Sequence, residues 1–319
     1  MTPTGSGPPV GIRPLDPPGA ACLAGPMSVR NVAVNGVRLR VTEAGRVGDP
    51  VVVLAHGFPD LALGWRQQIP ALAAAGFHVL APDQRGYGGS SRPEAVTDYD
   101  IHALTGDLIG LLDALTDADR AVFVGHDWGA TVVWNLTMLH PDRVAGTVGI
   151  SVPPVPRAKI APTEAFAKFG PDFYILRFQR PGVADAELGA DPAGTVAEVF
   201  GGRPDWLDDE TFDRYVAEFT RTGYTGGLNW YRNFDRNWAS TPELAGATFD
   251  TPALFIVGGA DPLAGFLRAD RARQVAVGQY RERIIDGAGH WLTQQCPAEV
   301  NAELIEFLCS PALADWRNS

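Results

Sequence analysis

The segment 125–129, Gly-His-Asp-Trp-Gly, has the residue types of a sharp turn that carries a nucleophile. It follows an apolar run at 121–124 and leads into a helical pattern, which is the strand, turn and helix context of a nucleophile elbow. The glycines leave room for the turn, and Asp127 stands at the nucleophile position. Because free N–H groups and the helix dipole favour an anion there, we expect Asp127 to be ionised and ready to attack. An aspartate that only caps the helix is the alternative.

An acid and a histidine follow later in the chain, each after a predicted strand. Asp261 comes after the apolar run 252–257, and His290 lies in Gly-His-Trp at 289–291, after strand character at 282–285. The order nucleophile, acid, base matches the order Ser, Asp/Glu, His of nucleophile-elbow hydrolases, with the first member changed. Asp-Pro also starts ordinary turns and a loop histidine is often solvated. Their order at successive strand ends favours a catalytic triad.

The loop after the predicted strand 51–55 reads His-Gly-Phe-Pro-Asp and is expected to contribute an oxyanion hole. Its position lets the backbone N–H of Phe58 join that of Trp128. We interpret the neighbouring residues as support for these two turns and not as a second base: His56, Gly57, Pro59 and His126.

Short apolar runs that alternate with helical patterns must position these groups. They predict an α/β fold with a mostly parallel sheet and helices on both faces. An antiparallel hairpin, 29–34 with 37–42 around Asn35-Gly36, opens the fold. Further strands are predicted at 51–55, 77–80, 121–124, 144–150, 252–257 and 282–285, and helices at 61–75, 101–115, 128–139 and 297–308.

The strand and helix rhythm breaks after Ser151. Nearly a hundred residues follow with helical patches and aromatic clusters but without buried-strand runs. We expect an inserted helical cap at 153–248 and a core formed by 28–152 and 249–319. An irregular leader rich in proline and glycine is predicted at 1–27.

Composition excludes several classes of protein. The 319 residues carry a net charge of −11, which repels polyanions, so nucleic acid is not an expected partner. No apolar run reaches 18 residues, so no membrane span is predicted. The cysteines, without C-x-x-C spacing, indicate a reducing, cytoplasmic location: Cys22, Cys296 and Cys309. The glycine-rich turn at 83–90 lacks the dinucleotide pattern G-x-G-x-x-G.

Taken together, these motifs resemble those of the soluble, cap-bearing epoxide hydrolases of the α/β-hydrolase fold, bacterial type. The resemblance covers roughly residues 28–310 and extends to two cap segments, 173–182 and 228–233. It implies that Tyr174 and Tyr231 are the acids that assist ring opening. Ile175 departs from the glutamine that many relatives carry there, so the resemblance implies no substrate contact from that position.

The resemblance also implies a two-step reaction. The epoxide oxygen leaves as an alkoxide and needs proton donors, which phenols with an unperturbed pKa of about 10 can supply at neutral pH. Asp127 would form an alkyl ester, and water activated by His290, itself oriented by Asp261, would hydrolyse it to a vicinal diol. A hydrophobic epoxide and water are the expected partners. No metal or organic cofactor is called for.

Two alternatives use the same fold. A haloalkane dehalogenase shares the triad but must stabilise a halide, for which Trp128 could be one donor. Phe58 stands where many dehalogenases place asparagine, and the cap offers tyrosines instead of an evident second donor. A non-catalytic ligand-binding protein of this fold would not need an intact triad. The sequence leaves a homodimer open.

Overall fold

The computed structural model describes residues 27–265, 267 and 269–318. The predicted leader, apart from Met27, therefore lies outside the described residues, as does Cys22. Among the described helices, none is both long and apolar enough to cross a membrane.

The strands of the described chain form one sheet of eight, ordered β1-β2-β4-β3-β5-β6-β7-β8. The first two strands pair antiparallel, β2 pairs antiparallel with β4, and the remaining pairs are parallel. The strands are β1 (Ser28–Val34), β2 (Val37–Ala44), β3 (Val51–Ala55), β4 (His78–Asp83), β5 (Ala121–His126), β6 (Val144–Ile150), β7 (Ala253–Gly258) and β8 (Tyr280–Ile285).

The hairpin between β1 and β2 turns at Asn35 and Gly36, as predicted. Both residues have positive φ, 45° and 74°, which is the backbone of a type I′ turn. Several parallel strands extend beyond the apolar runs of the sequence, because their backbone pairing with the neighbouring strand continues past those runs. For example, β5 reaches His126, which pairs with Ile150 of β6.

Helices cover both faces of the sheet, since alternate residues of a strand point to opposite sides. In β3, Val53 belongs to an apolar cluster with α2 and α3, whereas Val52 belongs to a second cluster with α1 and α12. The α-helices are α1 (Gln68–Ala74), α2 (Ile101–Leu115), α3 (Trp128–Leu139), α4 (Pro162–Phe166), α5 (Tyr174–Phe178), α6 (Val183–Ala190), α7 (Pro192–Val199), α8 (Asp209–Thr222), α9 (Thr225–Arg232), α10 (Phe234–Ser240), α11 (Leu292–Gln295), α12 (Pro297–Leu308) and α13 (Ala314–Arg317). Short 3-10 helices lie at Ala62–Trp65, Val96–Tyr99, Pro141–Arg143, Ala167–Phe169, Pro242–Leu244, Pro262–Gly265, Ala269–Gln274 and Pro311–Leu313.

The single helix predicted at 61–75 is wrong. The structure has a 3-10 turn, Ala62–Trp65, followed by α1 from Gln68. Pro70 explains the break, because its ring would clash with the carbonyl of Arg66 in a continuous helix. Within the first turn of α1 the same proline is tolerated.

The segment between β6 and β7 is helical where described, from α4 to α10, and we call residues 153–248 the cap. Apolar side chains of the cap join the same cluster as the sheet face that carries α2 and α3. Tyr215 of α8 also donates a hydrogen bond of 2.6 Å to the buried carboxylate of Asp60 in the loop after β3. Cap and core therefore share one apolar interface over the ends of the parallel strands.

Candidate active site

Asp127 lies in the sharp turn between β5 and α3, with a φ of 53°. Positive φ is uncommon for a residue with a side chain, and it persists only where the surroundings require it. A Cβ on Gly125 would lie 2.2 Å from the carbonyl oxygen of Gly129, and one on Gly129 would lie 1.9 Å from that of Ala55. Both glycines are therefore needed for the close backbone approach that forms the turn.

Two backbone N–H groups hold the Asp127 carboxylate. The N–H of Phe58 donates to Oδ1 at 2.8 Å, and the N–H of Trp128 also hydrogen-bonds the carboxylate. A Cβ on Gly57 would lie 2.3 Å from Oδ1, so this approach requires glycine. Burial raises the pKa of Asp127, and the charge of His290 and the two N–H groups oppose that shift without cancelling it. The N–H of Trp128 at the start of α3 therefore favours the anion, but the effect of burial on the pKa of Asp127 is larger.

His56 and Pro59 shape the loop that carries this N–H group. The buried His56 ring accepts a hydrogen bond at Nε2 from the N–H of Gln84, and its Nδ1 lies 2.9 Å from the carbonyl of Gly57. With Nε2 as acceptor, Nδ1 carries the proton. Burial lowers the pKa of His56 to about 4, so the ring is neutral near pH 7. Pro59 follows Phe58 through a cis peptide bond.

His290 lies between the two carboxylates. Its Nε2 is 3.8 Å from Oδ2 of Asp127, and its Nδ1 is 3.2 Å from Oδ2 of Asp261. Asp261 follows β7 and His290 follows β8, so the carboxyl ends of adjacent parallel strands bring them together. The structure therefore assembles the three groups that the sequence predicted as a triad.

Ser151 joins this group, although no role was predicted for it because serine is not an acid. Its hydroxyl donates to Oδ2 of Asp261 at 2.6 Å and lies 2.9 Å from Nδ1 of His290. The residue is fully buried directly after β6, with a φ of 71°. Its place at a strand end between the nucleophile strand and the acid strand is the signal that could have identified it.

Charge and burial together set the ionisation of His290 and Asp261. Burial lowers the pKa of His290, but the hydrogen bond that the ring donates to Asp261 and the charges of both carboxylates outweigh it, so the net shift is upward. Burial raises the pKa of Asp261, but the hydrogen bond and charge of His290 and the hydroxyl of Ser151 lower it overall. Asp261 is therefore an anion that stabilises the protonated imidazole.

His126, which was interpreted as support for the nucleophile turn, contacts the loop of His290. Its Nε2 lies 2.9 Å from the carbonyl oxygen of His290. Burial, with a contribution from the nearby His290, lowers the pKa of His126 to about 3. The ring is therefore neutral near pH 7 and can donate one N–H to that carbonyl.

The two cap tyrosines lie together above the nucleophile turn. The ring centroids of Tyr174 and Tyr231 are 6.2 Å apart, and the Tyr231 ring is 5.1 Å from Trp128 and 5.3 Å from Phe58. Burial, followed by the charge of Asp127, raises the pKa of both hydroxyls above the usual value near 10. Both phenols therefore stay protonated at neutral pH.

Backbone contact fixes α9, the helix that carries Tyr231, against the core. A Cβ on Gly226 would lie 2.2 Å from the carbonyl oxygen of Gly86, so the two backbones touch. One helical turn later, the indole N–H of Trp230 donates to the carbonyl of Arg85 at 3.1 Å. Sequence reasoning missed this contact, and the Gly-Gly pair directly before the cap segment 228–233 was its signal.

An apolar cavity of about 300 Å³ lies beside the Trp128 ring, between α3, α4 and α10. Residues that line it include Ile101, Met138, Val152, Pro162, Phe166 and Phe234. Ile175 is 3% exposed within the apolar cluster. In the described ranges, no group of three or more His, Cys, Asp or Glu side chains is placed to hold a metal ion.

Comparison with known proteins gives one consistent result. Residues 50–293 match the family model described as the alpha/beta hydrolase fold. The chain is 58% identical to epoxide hydrolase A of Mycobacterium tuberculosis, over 88% of this chain and 96% of the relative. It is 36% identical to an epoxide hydrolase of Caballeronia sordidicola, over 90% and 95%.

Solved structures agree. Epoxide hydrolase A from Mycobacterium thermoresistibile superposes with a TM-score of 0.87 at 58% identity, covering 89% of this chain and 98% of the other. Potato epoxide hydrolase I gives 0.84 at 30% identity, with 89% and 99% covered. The chain belongs to the epoxide hydrolases of the α/β-hydrolase fold family.

These similarities confirm the predicted fold and the predicted activity of this enzyme. The dehalogenase and ligand-binding alternatives are therefore set aside. The Trp128 side chain, considered above as a halide donor, hydrogen-bonds the hydroxyl of Tyr231 instead. The roles of the individual side chains stay predictions.

Proposed function

We propose that this epoxide hydrolase forms a covalent ester through Oδ2 of Asp127. The observation that supports this choice is the unequal surroundings of the two carboxylate oxygens. Oδ1 accepts the Phe58 N–H at 2.8 Å, whereas Oδ2 faces His290 at 3.8 Å, beyond hydrogen-bond distance. Oδ2 is therefore the oxygen free to bond a substrate carbon.

In the first step, Oδ2 of Asp127 attacks an epoxide carbon, and the bond from that carbon to the ring oxygen breaks. The oxygen leaves as an alkoxide and takes a proton from Tyr174 or Tyr231, while the other phenol donates a hydrogen bond to it. Because burial keeps both phenols protonated, the donors are ready near pH 7. The products of this step are an alkyl ester, a free hydroxyl group and a phenolate, which regains its proton from the carboxyl group that the second step releases.

In the second step, Nε2 of His290 takes a proton from water, and the resulting hydroxide attacks Cγ of Asp127. The negative charge develops on Oδ1, which already accepts the N–H of Phe58, and the N–H of Trp128 also hydrogen-bonds this carboxyl group. Collapse of the intermediate breaks the bond between Cγ and Oδ2, and the departing oxygen takes the proton from His290. The diol keeps Oδ2, and the water oxygen stays in the carboxylate.

We propose a hydrophobic epoxide as the substrate. The cavity beside Trp128 has room for an apolar substituent of several carbon atoms, and its lining is mainly apolar. Three of its lining rings lie side by side, with Phe166 centred 6.0 Å from Phe234 and Phe234 centred 4.8 Å from Trp128.

Diol formation from styrene-type, terpene-type and fatty-acid epoxides tests both the activity and the substrate class. We expect Asp127→Ala to remove turnover of every active epoxide while leaving the melting temperature within a few degrees, because no ester can form. Halide release from haloalkanes is measured in parallel. Diol formation by Asp127→Ala at the wild-type rate would overturn the nucleophile assignment.

The domain division is also a proposal: a core of 28–152 and 249–319 and a cap of 153–248. It is supported by the placement of α4 to α10 within the cap range and of all described strands outside it. A cytoplasmic location is proposed on the free thiols of Cys296 and Cys309. The homodimer stays a prediction, which light scattering on the purified chain would test.

A further inference from the structure

The two proposed acids are attached to the molecule in different ways. The helix of Tyr231, α9, touches the core backbone at Gly226, and Trp230 donates to the core. Directly after α9, the side-chain amide of Asn233 donates to the carbonyl of Val96 at 2.6 Å. The position of Tyr231 is therefore set by direct contact with the core.

Tyr174 begins α5, a helix of only five residues. So short a helix has little stability of its own and depends on tertiary contacts. Toward the core, the Phe178 ring of α5 meets Phe58 with the centroids 5.8 Å apart. Aromatic contacts of this kind do not fix an orientation as hydrogen bonds do.

Gln179, the residue directly after α5, supplies such hydrogen bonds. Its Nε2 donates to the carbonyl of Ile175 at 3.0 Å and to the carbonyl of Tyr231 at 2.9 Å. One amide group thus joins the first turn of α5 to the backbone of the residue that carries the second phenol. Both N–H groups of the amide are used.

Arg232 adds a second link at the same place. Its Nε donates to the carbonyl of Phe178 at 3.1 Å, and its guanidinium pairs with Asp185 at the start of α6. Arg232 side-chain atoms are only 4% exposed. Because Arg232 also maintains a buried ion pair, its loss would disturb the cap broadly, whereas Gln179 offers a more selective test.

We propose that Gln179 is a positioning residue for ring opening, which holds Tyr174 at the distance from Tyr231 at which both phenols reach one epoxide oxygen. This rests on the proposed function of the two tyrosines. Since Tyr231 is fixed to the core, Gln179 transmits that fixed position to Tyr174. Gln179 itself does not touch the reacting atoms in this account.

The role predicts an effect confined to one step. A displacement of about 1 Å in a catalytic group can slow a reaction by about 100-fold, and loss of one link leaves Arg232 in place. We therefore expect an effect of about tenfold on ester formation. Ester hydrolysis depends on His290 and the backbone N–H groups, and it should change by less than about twofold.

The test is a double-mutant cycle on the full chain with a styrene-type epoxide. Gln179→Met removes the N–H donors at similar size. Ester formation and ester hydrolysis are measured separately in single turnovers for the wild type, Gln179→Met, Tyr174→Phe and the double variant. We expect Gln179→Met to slow ester formation alone, and to add nothing in the Tyr174→Phe background.

Thr195→Val is the matched control. The Thr195 hydroxyl of α7 donates to the carbonyl of Leu188 in α6 at 2.8 Å, so this variant also loses a side-chain link between cap helices. Thr195→Val should leave the rates of ester formation and ester hydrolysis unchanged, although its melting temperature should shift by about as much as that of Gln179→Met. Should Gln179→Met not fold, Gln179→Asn keeps the amide but is too short to bridge both carbonyls, and the same pattern is expected.

Three results would overturn the proposal: unchanged ester formation in the Gln179 variant, equal slowing of both steps, or full additivity with Tyr174→Phe. If Tyr174→Phe alone forms the ester at the wild-type rate, the acid role of Tyr174 fails as well. If Tyr174→Phe is slow and Gln179→Met is not, only the positioning role fails.

Discussion

The core side and the cap side of the active site are built by different means. On the core side, Asp127, Asp261 and His290 each follow a strand of one parallel sheet, whose ladder fixes their spacing. On the cap side, two tyrosines stand on helices of five and eight residues, joined by a few side-chain bonds and one glycine contact. We infer that core changes act mainly on ester hydrolysis and cap changes mainly on ring opening.

The largest effect is expected from His290→Gln. Without a base for water, ester hydrolysis should fall by about 10⁴-fold, while ester formation at Asp127 continues. Mass spectrometry should then show the protein plus the intact substrate mass. If activity is lost and no adduct accumulates, His290 acts in the first step and the division between core and cap fails.

On the cap side, Tyr174→Phe and Tyr231→Phe should each slow ring opening by about 10- to 1000-fold, or about 1.4 to 4 kcal/mol. Either phenol alone keeps partial function, so the double variant should lose far more than either single one. Hydrolysis of an ester already formed should be little affected. Ring opening by the double variant at the wild-type rate would contradict the acid role.

The core side was also the part that sequence could predict. Apolar runs in the sequence indicate where the strands end, and the glycines around Asp127 indicate a turn. Asp261 and His290 could therefore be predicted as triad members from their order after successive strands. Ser151 was not assigned a role, because its place at a strand end is a weak signal and its hydroxyl acquires a role only through the strand pairing that brings it to Asp261. The prediction of one helix at 61–75 was wrong because it followed the apolar pattern and ignored the helix-breaking effect of Pro70.

The residues of the cap side were predicted from the resemblance to a family and not from the physical properties of the sequence. Tyr174 and Tyr231 were matched as residues, but their spacing depends on contacts such as that of Gly226 with Gly86, which join segments far apart in the chain. Helical periodicity contains no information on which glycine will face another backbone. Short helices held by tertiary contacts are for this reason the least predictable part of the site.

A smaller effect is expected from Gly226→Ala. The new Cβ would fall 2.2 Å from a carbonyl oxygen of the core, so α9 must shift and move Tyr231, and ring opening should slow by about tenfold. Gly189→Ala in α6 is the control, since its Cβ would meet no described atom within 4 Å. That control should keep its rates and gain up to about 1 kcal/mol of stability. Equal behaviour of the two variants would remove the glycine contact from the account.

The smallest effect is a shift in pH dependence on the core side. His290 must be neutral to accept a proton, and the hydrogen bond that it donates to Asp261 raises its pKa. Ester hydrolysis should therefore decline as pH falls through a midpoint above the ordinary histidine value of about 6.5. Asp261→Asn should move this midpoint downward, while ring opening keeps its profile. An unchanged midpoint would show that Asp261 does not set the ionisation of His290.

The central claim is that Asp127 becomes an ester whose carbonyl carbon is attacked by water. A single turnover in water enriched in heavy oxygen, with enzyme in excess over epoxide, tests it directly. We expect the label in the Asp127 carboxylate, found by mass spectrometry of the peptide that contains it, and an unlabelled diol. Label in the diol with none in Asp127 would mean that water attacks the epoxide itself, and the covalent mechanism would be wrong.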